Sequence, residues 1–342
     1  MRFPAFLREK DIIGVTAVSD GVGNELDQKR FMNARETLAA KGLEVQFTDS
    51  VFKVTDKGRS ADAVTRADEL NALFKNDRVK AVIAAKGGNF LNEVMEYVDF
   101  EEMCRQPKWY QGYSDNTWLT YVLTVKEEIA TVYGSNFGEF GMQTWHRSVA
   151  DNLDILCGKT VVQHSFTKYQ NGFAERVTGL EGYAEDSPVE WRVHRCVRHQ
   201  AEKVSFSGRL LGGCLDVLMN IQGTKYDTTE AFISKYREDG IVWYLESFET
   251  TAENLMMCLW KLREVGWFAH AKGFIFGRPL YYRDSMETSY EEAVMYALEP
   301  LGVPVVFDSD FGHLGPRFTI VNGAIGTVTA GDGTGQLSMA LR

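Results

Sequence analysis

Residues 79–89 read Val-Lys-Ala-Val-Ile-Ala-Ala-Lys-Gly-Gly-Asn, a short β-branched run that stops at two glycines. A run of this kind, bounded by turn residues, predicts a buried strand over Val79–Ala85. Comparable apolar runs, separated by helix-like segments, occur at 11–18, 43–47, 108–113 and 129–134. This alternation predicts a mostly parallel sheet with helices on both faces, and ligands of such sheets bind beyond the carboxyl ends of the strands.

The second half of the chain has a different pattern, in which strand-like segments dominate. Apolar strands are predicted at 241–246, 272–276 and 303–307, and Thr250-x-x-Glu253 resembles a capping box that opens a helix. The tail, 318–341, predicts β-hairpins around Asn322-Gly323 and Gly331-Asp332-Gly333. We therefore predict an α/β chain of three parts: a mostly parallel N-terminal α/β sandwich domain (1–150), a linker region (151–175) and a β-rich C-terminal α/β domain (176–342).

Composition excludes several classes of protein. The net charge of −10 disfavours nucleic acid as a partner, because phosphate binding needs a basic face. Apolar runs are too short for a signal peptide or a membrane helix, so no membrane association and a cytoplasmic location are expected. The five cysteines are dispersed without CxxC spacing, which indicates reduced thiols.

No cofactor is predicted. The turn Ser19–Gly23 precedes a helix but lacks the third glycine of a dinucleotide-binding motif. The six histidines include no HExxH pair, so we predict no metal site. His194 and His199 lie in an arginine-bearing segment, for which a solvated surface is the simpler interpretation.

Ser114 is the candidate nucleophile. It follows Gly112 at the end of a predicted strand and precedes a helix, so a sharp turn would expose its hydroxyl. The alternative is that Ser114 or Asp115 caps that helix. Taken alone, the stretch favours the cap, because Gly-Tyr-Ser-Asp lacks the second glycine of a nucleophile elbow.

Three distant features favour the nucleophile. Glu246 ends an apolar strand, where its carboxylate could orient a histidine, and His313 lies in a glycine-rich loop after another strand. Gly87-Gly88 offers backbone N–H groups without side chains, as half of an oxyanion hole requires.

In these residues the sequence resembles the LD-carboxypeptidases, including their microcin C immunity branch. The motifs that carry the resemblance occur in the family's order, as Lys86-Gly87-Gly88, Gly112-Tyr113-Ser114-Asp115, a turn at Leu211-Gly212-Gly213-Cys214, Leu245-Glu246 and Gly312-His313. Departures are Cys214 in place of the family's asparagine, and Glu249, which rivals Glu246 as the acid of the triad.

The resemblance implies a serine peptidase or amidase with its active site at the domain interface. Ser114 would be the nucleophile, His313 the general base and Glu246 the acid that orients it. The backbone N–H groups of Gly88 and Asp115 would form the oxyanion hole, with the Asp115 side chain left to cap the helix. Members are commonly homodimers.

Two classes of substrate remain open: an L,D-peptide bond in murein (peptidoglycan) peptides, or an aminoacyl nucleotide related to microcin C. The chain length leans towards the second class. Trp191 could stack on a nucleobase or anchor its loop, and both interpretations stand. Arg192, Arg195 or Arg198 could contact a substrate carboxylate or phosphate. The alternative to an enzyme is a non-catalytic protein that binds a small ligand on the same scaffold.

Overall fold

The computed structural model describes residues 1–195 and 203–341. These residues divide into two compact units, described separately below. The first unit comprises residues 1–160, 174–183 and 318–321, and the second comprises residues 161–173, 184–317 and 322–342. The predicted α/β fold class is confirmed.

The strands of the described residues are numbered in chain order. They are β1 (Ile12–Thr16), β2 (Glu44–Phe47), β3 (Val79–Ala84), β4 (Trp109–Gln111), β5 (Thr131–Tyr133), β6 (Val162–His164), β7 (Lys168–Tyr169), β8 (Ser187–Pro188), β9 (Arg192–Arg195), β10 (Lys203–Cys214), β11 (Ile241–Glu246), β12 (Glu249–Thr251), β13 (Ala271–Gly277), β14 (Tyr281–Arg283), β15 (Pro304–Ser309), β16 (Ile320–Asn322), β17 (Ile325–Gly331) and β18 (Thr334–Ala340).

The α-helices of the same residues are numbered likewise. They are α1 (Glu25–Ala40), α2 (Ala63–Lys75), α3 (Phe100–Arg105), α4 (Thr117–Glu127), α5 (Arg147–Leu156), α6 (Leu215–Ile221), α7 (Thr229–Lys235), α8 (Ala252–Glu264) and α9 (Tyr290–Leu298). In the part of the chain that the structure describes, none of the helices combines the length and the apolar character needed to cross a membrane.

A sheet with the strand order β16-β5-β4-β3-β1-β2 forms the core of the first unit. The pairs from β2 to β5 are parallel, as the alternating sequence predicted. β3 and β4 are almost entirely buried, as expected for central strands of a parallel sheet. The carboxyl ends of β3 and β4 lead into the Gly87-Gly88 turn and the Ser114 turn, so both turns lie at one edge of this sheet.

The second unit contains a sheet with the order β6-β18-β17-β10-β11-β13-β15-β9. Its centre, from β10 to β15, is parallel, whereas the outer strands pair antiparallel. Every residue of β11 is buried, and Glu246 is the last residue of this central strand.

Four local predictions differ from the structure. Leu211–Cys214 is the end of strand β10 and not a turn, since it continues the pairing with β11. The region 151–175 includes the end of α5 and the strands β6 and β7, because β6 pairs with the distant β18. The helix after β12 is capped by Thr251 and not by Thr250: the Thr251 side chain accepts the Asn254 N–H.

The prediction for the tail, residues 318–341, was only half correct. β17 and β18 form the predicted antiparallel hairpin at Gly331–Gly333. At Asn322-Gly323 the chain instead passes from β16, in the first sheet, to β17, in the second. The Asn322 side chain accepts a hydrogen bond from the Tyr244 hydroxyl at 2.8 Å, and the Gly323 N–H donates to Leu210. The Asn322 side chain and the Gly323 N–H are therefore engaged in these hydrogen bonds and not in a tight hairpin turn.

Candidate active site

Ser114 lies on a strained corner at the carboxyl end of β4. Its φ of 66° is in the left-handed region, which is uncommon for a residue other than glycine. The corner is held by its neighbours: the Ser114 carbonyl accepts the Thr117 hydroxyl at 2.7 Å, and the Ser114 N–H lies 3.4 Å from the Tyr133 hydroxyl. Strain maintained in this way is typical of functional sites.

The cap interpretation does not fit this geometry. A helix cap normally has extended φ and ψ angles, which Ser114 does not have. The Asp115 side chain is 4% exposed and accepts hydrogen bonds from the Ser19 hydroxyl at 2.5 Å and the Leu91 N–H at 2.8 Å. The expectation that this carboxylate caps the helix was therefore wrong. Burial raises the pKa of Asp115, and the two hydrogen bonds oppose that shift.

The Gly87-Gly88 turn adjoins the serine. A Cβ atom on Gly87 would lie 2.9 Å from the Ser114 Oγ and 3.7 Å from the Asp115 nitrogen. The Asn116 side chain ties the two loops together by donating to the Lys86 carbonyl at 3.0 Å. The structure thus brings Ser114, Asp115 and the Gly87-Gly88 turn together in the first unit, where the N–H groups of Gly88 and Asp115 belong to adjoining loops.

Glu246 and His313 form a buried pair in the second unit. The His313 Nδ1 and the Glu246 Oε2 are 2.8 Å apart, and the two residues are 6% and 0% exposed. The rival acid, Glu249, is exposed and lies 3.1 Å from Arg283. Of the two candidate carboxylates, the structure places Glu246 against the histidine.

The loop that carries His313 is anchored by a residue that sequence reasoning did not single out. Asp310 is fully buried and accepts hydrogen bonds from Arg278 (2.8 Å), the Trp191 indole (2.9 Å) and the Phe166 N–H (3.1 Å). Burial raises the pKa of Asp310, and the Arg278 charge opposes the shift. The sequence signal was present, since Asp310 stands three residues before His313, but its partners are far away in sequence.

Trp191 takes the anchoring role of the two that the sequence left open. It is 2% exposed, and a Cβ atom on Gly335 would lie 1.9 Å from its ring, so the indole is packed against β18. In this conformation no face of the ring is available for a nucleobase. This burial favours the anchoring interpretation of the two.

Arg192 is half exposed, but two carboxylates already hold it: Asp308 at 2.7 Å and Glu291 at 2.5 Å. His194, expected on a solvated surface, is partly buried and lies 3.0 Å from Glu291. Cys196, Arg198 and His199 lie outside the described residues. Within the described ranges, no cluster of three or more His, Cys, Asp or Glu side chains is arranged to hold a metal ion.

Comparison with known proteins identifies the family. Residues 13–134 match the LD-carboxypeptidase N-terminal domain and residues 207–328 match the LD-carboxypeptidase C-terminal domain. A putative carboxypeptidase of Vibrio cholerae is 26% identical over 312 residues, which cover 87% of this chain and 86% of that protein. The microcin C7 self-immunity protein MccF of Escherichia coli is 25% identical over 305 residues, covering 86% and 83% of the two chains.

Solved structures share the fold. An MccF-like protein from Bacillus anthracis superimposes with a TM-score of 0.80 at 21% identity, covering 99% of both chains. Microcin C7 self-immunity protein MccF in complex with aspartyl sulfamoyl adenosine gives a TM-score of 0.79 at 21% identity, covering 98% of both chains. Since the two family domains together match well over half of its residues, this chain belongs to the LD-carboxypeptidase family.

Proposed function

We propose that the chain is a serine amidohydrolase in which Ser114, His313 and Glu246 act as a catalytic triad. The observation that carries the proposal is the buried Glu246–His313 hydrogen bond of 2.8 Å. A buried carboxylate on Nδ1 fixes the imidazole tautomer, so that Nε2 is the nitrogen that would accept the serine proton. The left-handed backbone at Ser114 supports its role as the nucleophile.

In the proposed reaction, His313 takes the proton of Ser114 as the serine oxygen attacks the scissile carbonyl. The N–H groups of Gly88 and Asp115 stabilise the oxyanion, each contributing about 3 kcal/mol if it resembles known donors. His313 then protonates the leaving amine, and water releases the acyl group from Ser114. Glu246 stabilises the imidazolium throughout.

For the substrate, we propose an aminoacyl nucleotide analogue that carries an amide-like bond. The likeness to the immunity protein of E. coli, and the complex of MccF with aspartyl sulfamoyl adenosine, support this class. Murein peptides are the second candidate, supported by the likeness to a probable murein peptide carboxypeptidase of Bacillus subtilis. Arg192 is the candidate contact for a substrate phosphate or carboxylate, whereas Trp191 acts by holding its loop.

The test is a comparison of the wild type with Ser114→Ala on both substrate classes. We expect the wild type to cleave aspartyl sulfamoyl adenosine faster than a murein tetrapeptide. Ser114→Ala should abolish turnover of both while leaving the melting temperature unchanged. Ser187→Ala is a matched control, because its hydroxyl donates a hydrogen bond to the neighbouring Asp186 carboxylate at 2.9 Å.

Two results would overturn the proposal. Full turnover by Ser114→Ala would exclude the triad. Binding of either compound by the wild type without any cleavage would instead favour the non-catalytic ligand-binding protein. Covalent labelling by a fluorophosphonate, with the adduct located by mass spectrometry, tests the nucleophile independently, since labelling at any serine other than Ser114 contradicts the assignment.

A further inference from the structure

A second carboxylate lies beside the Glu246–His313 pair in the second unit. Asp216 follows β10 as the second residue of α6, and the last residue of β10, Cys214, is in register with Glu246 on β11. Burial raises the pKa of Asp216, the N–H of Phe248 opposes the shift, and the charge of Glu246 adds to it. Asp216 therefore interacts electrostatically with Glu246, while its hydrogen bond goes to the Phe248 backbone and not to the histidine.

The Asp216 carboxylate holds the backbone of Phe248. Its Oδ2 accepts the Phe248 N–H at 3.0 Å, and the Phe248 carbonyl accepts the Tyr281 N–H at 2.9 Å. Phe248, two residues after Glu246, is thus fixed through both of its backbone groups. Such a double constraint determines the direction in which the Phe248 side chain leaves the chain.

That side chain packs on the catalytic imidazole. The ring centroids of Phe248 and His313 are 4.8 Å apart with an interplanar angle of 58°, and Phe248 also makes an edge-on contact with Tyr281 at 5.4 Å. A ring in this position limits rotation of the imidazole about its side-chain bond. It therefore favours the orientation in which Nδ1 faces Glu246.

We propose that Asp216 is a positioning residue for His313 and that it acts through Phe248. The inference rests on the proposed function, since it assigns a role in orienting the proposed general base. Without the acceptor at position 216, the peptide of Phe248 turns, the ring leaves the imidazole, and His313 samples orientations that do not bond to Glu246.

The experiment measures kcat and KM for Asp216→Ala, Phe248→Ala and the double variant, using the substrate that the wild type cleaves. We expect each single variant to lower kcat about tenfold with KM changed less than twofold, because the geometry of the base and not substrate affinity is affected. The double variant should be no slower than Phe248→Ala alone, since the two residues act in series. Asp216→Asn, which keeps an acceptor oxygen, should recover most of the lost kcat.

Asp227→Ala is the matched control. The Asp227 carboxylate likewise accepts a backbone N–H, from Gly223 at 3.0 Å, but in the connection between α6 and α7. It should leave kcat within twofold of the wild type. If the losses from Asp216→Ala and Phe248→Ala multiply in the double variant, or if Asp216→Ala has wild-type kcat, the proposal is wrong.

A spectroscopic measurement separates positioning from general destabilisation. The proton between His313 Nδ1 and Glu246 should give a downfield NMR resonance, absent in His313→Gln, that broadens in Asp216→Ala and persists in Asp227→Ala. An unchanged resonance in Asp216→Ala contradicts the inference. Ser114→Ala, assayed in parallel, distinguishes the two failures: if it keeps full activity the proposed function falls, whereas if it is inactive and Asp216→Ala is normal, only the positioning role falls.

Discussion

Replacing Gly87 by alanine would press a methyl group against the proposed nucleophile. The new Cβ atom would lie 2.9 Å from both the Cβ and the Oγ of Ser114, inside the 3.4–4 Å of ordinary contact. One of the two loops must therefore shift by about 0.5 Å. The Ser114 corner is strained and tied to Thr117, so the displacement falls on atoms that the reaction uses.

The magnitude follows from this displacement. A misplacement of about 1 Å costs about 10²-fold in rate, so half of that predicts a fall in kcat of roughly 5- to 50-fold. The effect on stability should be smaller. Gly87 lies outside the left-handed region, so alanine gains about 0.4–1 kcal/mol through the unfolded chain, which offsets part of an overpacking cost of about 1–3 kcal/mol.

The assay is steady-state hydrolysis by Gly87→Ala, expressed per folded protein from urea denaturation. Gly182→Ala is the control, because it makes the same chemical change at a glycine whose added Cβ would have no atom of a non-adjacent described residue within 4 Å. We expect normal kcat for the control. Wild-type kcat for Gly87→Ala would refute the reasoning, since it would mean that the serine hydroxyl is not where the reaction needs it.

Two further predictions concern carboxylates. Glu246→Gln should lower kcat by a factor on the order of 10² to 10⁴ without loss of stability. Glu249→Gln should keep wild-type kcat, because this residue is exposed and paired with Arg283. The reverse result would make Glu249 the triad acid. For Asp115, burial raises the folded-state pKa above the unfolded value of about 3.9, so its contribution to stability is full below that value and is lost as pH rises through the folded pKa. Asp115→Asn should therefore gain stability relative to the wild type as pH rises above about 3.9 in urea denaturation, and a stability difference that stays constant from below that pH to neutrality would contradict the reasoning.

The sequence predicted the elements whose signals are local. The strands from β1 to β5 are short apolar runs that end in turns, and their parallel pairing follows from the alternation with helices. Residues 162–195 could not be assigned in the same way. Their strands are two to four residues long, and β6 and β9 exist only because β18 and β15 pair with them from more than 100 residues away. Local periodicity carries no information on such pairing.

The same distinction between local and long-range signals applies to the candidate site. The positions of Glu246 and His313 at strand exits could be read from the sequence, and the structure places their side chains in contact. The role of the Asp115 side chain was misjudged and that of Trp191 was left open, because each is buried with a distant partner, Ser19 in one case and Asp310 in the other. From sequence alone, a polar residue in a turn is expected to be solvated. Only the tertiary structure shows which of these residues are buried and hydrogen-bonded to a distant partner.

Glycines mark this site more consistently than the residues proposed to react. A Cβ atom on Gly312 or Gly277 would lie 2.9 or 3.0 Å from the Glu246 side chain, as one on Gly87 would from Ser114. The side chains of Ser114 and Glu246 thus fill space that neighbouring glycine backbones leave open. This explains why Ser114, judged by its own short stretch, resembled a helix cap: the feature that makes room for a nucleophile lies on another loop, 27 residues earlier in the chain. In this fold, glycines at strand ends therefore indicate the position of the site better than serine or histidine residues do.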